Sequence, residues 1–150
     1  MHVRTITDNA RTITKLCAEH GITVIGVTKS CCGMPEVARA MLVGGVRGLA
    51  DSRLGNIVLM KKAGVKADRI LLRSPALSET AAAVRLAKIS LNSEFEVVAS
   101  LARQARALGK LHRVILMVDV GDRREGIVPR DDDRTSHGSA RCARHSDLQM

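Results

Sequence analysis

The sequence predicts an α/β domain built on a parallel sheet, and three observations carry that prediction. Short apolar runs recur about every 20–25 residues, and each is followed by a stretch with helical patterning. The runs are almost continuously apolar, as in Val24-Ile25-Gly26-Val27 and Val114-Ile115-Leu116-Met117-Val118, which suits strands covered on both faces. Finally, Lys29, Asp51, Arg73, Asn92 and Asp119 fall at the C-terminal ends of these runs. In a barrel or a doubly wound sheet that edge carries the active site. About five such βα units are visible, whereas a closed (β/α)8 barrel ordinarily takes about 250 residues. The pattern alone therefore leaves open a small open sheet and a part of a barrel.

The elements follow in order. Thr7-Asp8-Asn9 precedes a helix expected over 10–20, with Ile13, Leu16 and Cys17 at helical spacing and Gly21 as its stop. A strand is expected over 22–28, ending at Lys29. The small-residue loop Ser30-Cys31-Cys32-Gly33 leads to a helix over 35–42, with Pro35 in the first turn, where its missing N–H costs nothing. The run 46–50 meets Asp51-Ser52-Arg53, and a helix through Leu54, Ile57, Val58 and Met60 ends near Gly64. The pattern then repeats: a strand over 69–73 broken by Ser74-Pro75, and a helix from Ser78-Glu79 to about Ala87. A strand over 89–92 and a helix from Ser93-Glu94 to Leu108 come next, then a strand over 113–120. From 128 to 150 there is no hydrophobic periodicity, and four Arg cancel four Asp. That stretch is expected to be disordered and a non-native tail, as a frameshift or truncation would leave.

Composition narrows the chemistry. Apolar residues make up 45% of the chain, yet it has one Phe and no Tyr or Trp, so the core must be aliphatic and no step can use a tyrosine of this chain. The net charge of +9 raises nucleic acid as a partner. The basic residues are scattered along helices with no aromatics interleaved to stack on bases, so no nucleic-acid partner is expected. Cys17, Cys31, Cys32 and Cys142 show neither metal spacing nor a disulfide framework. Without a signal peptide or a long apolar run, the chain reads as soluble and cytoplasmic, with no membrane partner. Lys29, an amine delivered by an apolar strand to a strand-to-helix junction, is suited to covalent carbonyl chemistry.

Five segments then carry a resemblance. They are Gly26-Val27-Thr28-Lys29; Leu49-Ala50-Asp51-Ser52-Arg53-Leu54; Leu71-Leu72-Arg73-Ser74-Pro75 with Ser78-Glu79; Ile89-Ser90-Leu91-Asn92-Ser93-Glu94; and Ile115 to Gly126 with Asp119-Val120-Gly121-Asp122-Arg123-Arg124-Glu125-Gly126. From about Asn9 to Ile127 the chain resembles the N-terminal half of the alanine/ornithine racemase family, closest to its ornithine-racemase-like branch. The resemblance implies a partial (β/α)8 TIM-type barrel over 1–127, with pyridoxal 5'-phosphate as cofactor and a homodimer in the full-length form. The implied activity is racemisation of a small amino-acid substrate by Cα proton abstraction from its external aldimine. Lys29 is then the Schiff-base lysine and the base that removes or returns the proton. Arg124 is the arginine near the cofactor's phenolic oxygen, and Asp51, Arg73 and Asn92 are further cofactor-site residues. Cys31 and Cys32 are loop residues first and acid/base thiols second.

The chain also departs from the family. Gly33 stands where alanine racemase proper has a phosphate-contacting tyrosine, and the second base of that enzyme, a tyrosine of the partner subunit, has no counterpart here. The later strands, whose loops hold the cofactor phosphate, are also missing. A non-catalytic pyridoxal-phosphate-binding protein of the same fold, or a non-functional fragment, is the alternative.

Overall fold

The computed structural model describes residues 2–128 of the chain. Five strands lie in one parallel sheet in chain order, β1-β2-β3-β4-β5, as the alternation of strands and helices predicts. The chain groups into two compact units, the first extending to Ile70 and the second beginning at Leu71. The tail expected over 128–150 lies outside the described residues apart from Val128, which is exposed.

In the first unit α1 spans Val3–Ala18, β1 Ile25–Val27, α2 Pro35–Val43, β2 Gly48–Asp51 and α3 Leu54–Lys62, and β3 begins at Asp68. Helix α1 starts seven residues before the expected Ala10, because Val3 and Ile6 extend the same apolar spacing backward. It packs through its small residues. A Cβ on Gly44 would lie 2.4 Å from that of Ala10, and Thr14 Oγ1 donates to Gly44 O at 2.8 Å, so only glycine permits this approach. Pro35 opens α2, which buries Val37, Ala38 and Ala40. Strand β1 is shorter than the expected 22–28, and its three residues pair with 48–50 in the register Ile25↔Gly48, Gly26↔Leu49 and Val27↔Ala50. Every residue of β2 is buried, while α3 contributes Ile57 and Met60 to the core.

In the second unit β3 ends at Leu71, and α4 (Thr80–Leu86), β4 (Ile89–Asn92), α5 (Phe95–Ala107) and β5 (Arg113–Leu116) follow. Helices α4 and α5 close on each other through Ala83, Val84, Leu101, Ala102 and Ala105, with Thr80 Oγ1 and Ser100 Oγ hydrogen-bonded at 3.0 Å between them. β4 pairs with β5 from Ile89↔Arg113 to Asn92↔Leu116. The strand expected over 113–120 stops at Leu116, and Ile115 is 48% exposed, because β5 is an edge of the sheet. Among the described residues no helix is long and apolar enough to cross a membrane.

One buried polar chain ties β4 to β5. His112 Nδ1 lies 3.2 Å from Ala87 O, and its Nε2 lies 2.8 Å from Ser90 Oγ, which also accepts from Asn92 Nδ2 at 2.9 Å. A carbonyl can only accept, so Nδ1 carries the proton. Burial pushes the His112 pKa below 6.5, outweighing the Ala87 carbonyl, which favours the charged form. In the neutral ring Nε2 is then the acceptor, and the Ser90 hydroxyl donates to it.

A neutral buried histidine binds fewer protons than its unfolded counterpart. Its stabilising contribution is therefore complete above pH 6.5 and declines as pH falls below that value toward the depressed native pKa. Urea midpoints should drop between about pH 7.5 and about pH 5.5, and His112→Asn should flatten that slope while lowering the neutral-pH midpoint. An unchanged slope in the variant would remove His112 as its source.

Candidate functional site

At the end of β1 the chain makes a tight turn, and Lys29 opens a single 3-10 turn over Lys29–Cys31. The preceding residue is the anchor. Thr28 is fully buried; its N–H donates to Ala50 O at 2.9 Å, and its O accepts from Cys31 N and Gly33 N, both at 3.1 Å. The Cys31 thiol also turns inward to Thr28 O at 3.2 Å, whereas Cys32 is exposed. Thr28 Oγ1 donates to Asp51 Oδ2 at 2.7 Å. Lys29 itself is exposed, and its Nζ makes no hydrogen bond or ion pair among the described residues.

Asp51, the last residue of β2, is fully buried. Besides Thr28 it accepts from Arg53 N at 2.9 Å and Asn56 Nδ2 at 3.0 Å, both on Oδ1. These bonds fix the entry to α3 and occupy both carboxylate oxygens. Thr28 and Asn56 were not legible as site residues in the sequence; Thr28 differs from an ordinary strand threonine only in preceding Lys29. Cys32 (φ 53°) and Gly33 (φ 68°) are both left-handed. A Cβ on Gly33 would lie 2.6 Å from Asn56 Cβ, so the Asn56 side chain fills the space beside residue 33. The glycine where the family has tyrosine is thus built into the packing.

In the second unit Arg73 follows β3, where one guanidinium nitrogen donates to Ser74 O at 3.0 Å and the other to Glu79 Oε2 at 2.8 Å. The Arg73 hydrogen bond, followed by that from Ala76 N, holds the Glu79 carboxyl below its usual range. Arg73 therefore ties the β3–α4 loop together. Asn92, the last residue of β4, is fully buried and donates to Ser90 O and Ser90 Oγ, both at 2.9 Å, while its Oδ1 has no partner among the described residues. Two acceptors face its amide nitrogen, which forbids the flipped orientation.

Beyond β5, Asp119 Oδ1 accepts from Gly121 N at 2.8 Å and Arg123 N at 3.1 Å. Those two N–H groups, Gly121 first, lower its pKa from 3.8. The loop keeps this support above the ordinary carboxylate range and loses it only as pH falls through the depressed native value. The loop closes where Ile127 N donates to Met117 O at 2.9 Å and Asp119 N to Ile127 O at 3.0 Å. Gly126, at φ 125°, passes so close to Asp119 N that a Cβ there would collide with it. Arg124 is exposed and lines an open concavity of about 790 Å³ with Asp119, Arg123 and Glu125. Within the first unit Lys29 and Asp51 are thus joined through Thr28. In the second, Arg73, Asn92 and Arg124 each belong to a separate local network.

The chain and its fold are similar to known proteins. The family profile for the alanine racemase N-terminal domain matches residues 1–147. An ornithine racemase of Acetoanaerobium sticklandii is 37% identical over 130 residues, covering 87% of this chain and 36% of that protein. A lysine racemase of Thermotoga maritima is 33% identical over 127 residues, covering 85% and 36%. The chain thus spans about a third of the length of these relatives. An alanine racemase structure from a D-cycloserine-producing Streptomyces lavendulae superposes with a TM-score of 0.84 at 18% identity, over 99% of this chain and 39% of that one. That structure is similar in fold.

Gly33→Ala should destabilise the first unit by about 2 kcal/mol or more, since it adds both a collision and a strained φ. Adding Asn56→Gly removes only the Cβ at 2.6 Å and leaves the Cα and carbonyl oxygen of residue 56, each at 2.9 Å, so it should recover little of the loss. Chemical denaturation of the single and double variants measures this, and equal midpoints for Gly33→Ala and the unaltered chain would refute the packing.

Proposed function

The chain belongs to the alanine racemase N-terminal-domain family, and on that premise we propose that it serves pyridoxal-phosphate-dependent amino-acid racemisation with Lys29 as its central residue. The family and the curated relatives are pyridoxal-phosphate-dependent amino-acid racemases. One observation carries the reading: Lys29 stands at the C-terminal end of β1, its backbone tied down on one side by Thr28 while its Nζ is left without a partner among the described residues. Such an amine fits a group that is held covalently through an aldehyde.

When bound, the cofactor supplies an electron sink for the charge that develops at the substrate Cα. The chain's residues do the rest. Lys29 Nζ would hold the cofactor and, once displaced by the substrate amine, take or return the Cα proton. Arg124, free of side-chain partners among the described residues, would face the cofactor's phenolic oxygen. Asn92 Oδ1, a buried acceptor without a donor, would accept a hydrogen bond from the bound group. Asp51 already accepts from Thr28, Arg53 and Asn56, and Arg73 is paired with Glu79, so a cofactor contact by either would be made alongside those bonds. The relatives' names favour ornithine or lysine as substrate. A homodimer of the full-length form belongs to the same proposal. So does a cytoplasmic location, which the free Cys17, Cys31 and Cys32 suit.

A second reading, binding without turnover, is favoured by one observation: Gly33 stands where alanine racemase proper has a tyrosine, and Asn56 fills the space beside it. Titration with pyridoxal phosphate should produce the absorbance band of covalently held cofactor, and Lys29→Ala should abolish it. Persistence of the band in that variant would defeat the assignment. Chiral chromatography of ornithine, lysine and alanine after incubation then separates racemase from binder. D-ornithine or D-lysine is expected from a racemase, and no inversion of any of the three from a binder.

A further inference from the structure

Resting on the reading of Lys29 above, we propose that Thr28, clamped by the Asp51 carboxylate, is the positioning residue that sets the Lys29 turn for capture of an aldehyde ligand. Every polar atom of Thr28 is committed. Its N–H binds Ala50 O, its carbonyl collects Cys31 N and Gly33 N, and its hydroxyl reaches Asp51 Oδ2 at 2.7 Å. The side chain of Lys29, one residue on, carries no such bond among the described residues. The order lies in the backbone that presents the amine, and the freedom lies in the amine itself. An anchored backbone reduces the conformational entropy lost when Nζ is fixed by a ligand.

The clamp joins two loops. The same Asp51 carboxylate holds Arg53 N and Asn56 Nδ2 at the start of α3. Asn56 in turn packs against Gly33, which closes the Lys29 turn from its far end. Thr28 and Gly33, on either side of the turn, are thus both referred to one buried carboxylate. Asp51 also holds the entry to α3 through Arg53 N and Asn56 Nδ2, so removing it would disturb that connection as well. Thr28 is the point at which positioning can be cut while those two bonds stay.

Thr28→Val keeps the shape and removes only the hydroxyl, leaving Asp51 bound to Arg53 and Asn56. Thr28→Ser restores the hydroxyl. In the full chain, Thr28→Val should weaken pyridoxal-phosphate capture, read from the absorbance band, at least tenfold, and Thr28→Ser should return it to within about twofold of the original. Amide hydrogen exchange gives a second readout that needs no cofactor. Cys31, Cys32 and Gly33 should exchange faster in Thr28→Val, while the amides of α3 keep their protection.

Equal capture by Thr28→Val and the original chain would overturn the proposal. Faster exchange throughout α3 would also overturn it, since it would reduce Thr28 to general support of the fold. If the original chain captures no cofactor at Lys29, the functional reading fails. The exchange pattern then decides the clamp by itself: localised acceleration supports it and unchanged protection at 31–33 overturns it.

Discussion

The Asp51 carboxylate is the constraint on which the first half of the structure depends. It is fully buried, and a buried charge is tolerated only where hydrogen bonds replace its water. Here three donors do so, from two places in the chain: Thr28 beside Lys29, and Arg53 and Asn56 at the start of α3. Because the donors come from both segments, the carboxylate registers the end of β1 against the β2–α3 connection. The absence of a Cβ at Gly33 completes the arrangement, since it lets Asn56 come close enough to share the load. The backbone of Lys29 is thereby held without any contact from its own side chain.

The second half is organised on a different principle. Its polar interior is neutral: His112, Ser90 and Asn92 form a chain in which each donor and acceptor is dictated by the one before it, starting from Ala87 O. The chain ends in Asn92 Oδ1, which has no donor. A buried acceptor without a partner costs about 1–3 kcal/mol, a cost that the proposed function turns to use at the end of a strand where ligands bind in this class of fold. The Asp119 loop supplies the contrasting case. Its carboxylate is satisfied by local N–H groups, and the arginines that follow are left exposed on an open concavity.

The periodic features were legible in the sequence. Runs such as Val114 to Val118 and helices such as Phe95–Ala107 repeat at spacings that only a parallel α/β sheet explains, and the order of five motifs pointed to the family. Edges were less legible. The run at 113–120 reads as a buried strand because apolar residues do not announce that a strand will lie at the edge of its sheet, and β5 stops at Leu116. The roles of polar residues were harder still. Asp51 and Arg73 stand at strand ends, where a cofactor contact and a structural hydrogen bond look alike in sequence. The positions of Thr28, Asn56 and Glu79 add the structural hydrogen bonds that the sequence does not show. Gly33 read as a missing tyrosine, while the structure shows its place already taken by Asn56.

The proposed function singles out one amine among seven lysines, the others being Lys15, Lys61, Lys62, Lys66, Lys88 and Lys110. Exposure does not distinguish Lys29 from several of these; the clamped backbone behind it does. Borohydride reduction in the presence of substoichiometric pyridoxal phosphate, followed by peptide mass mapping, reads that distinction directly. The account predicts a pyridoxyl group concentrated on the peptide bearing Lys29. A label spread across the seven lysines in proportion to their exposure would contradict it.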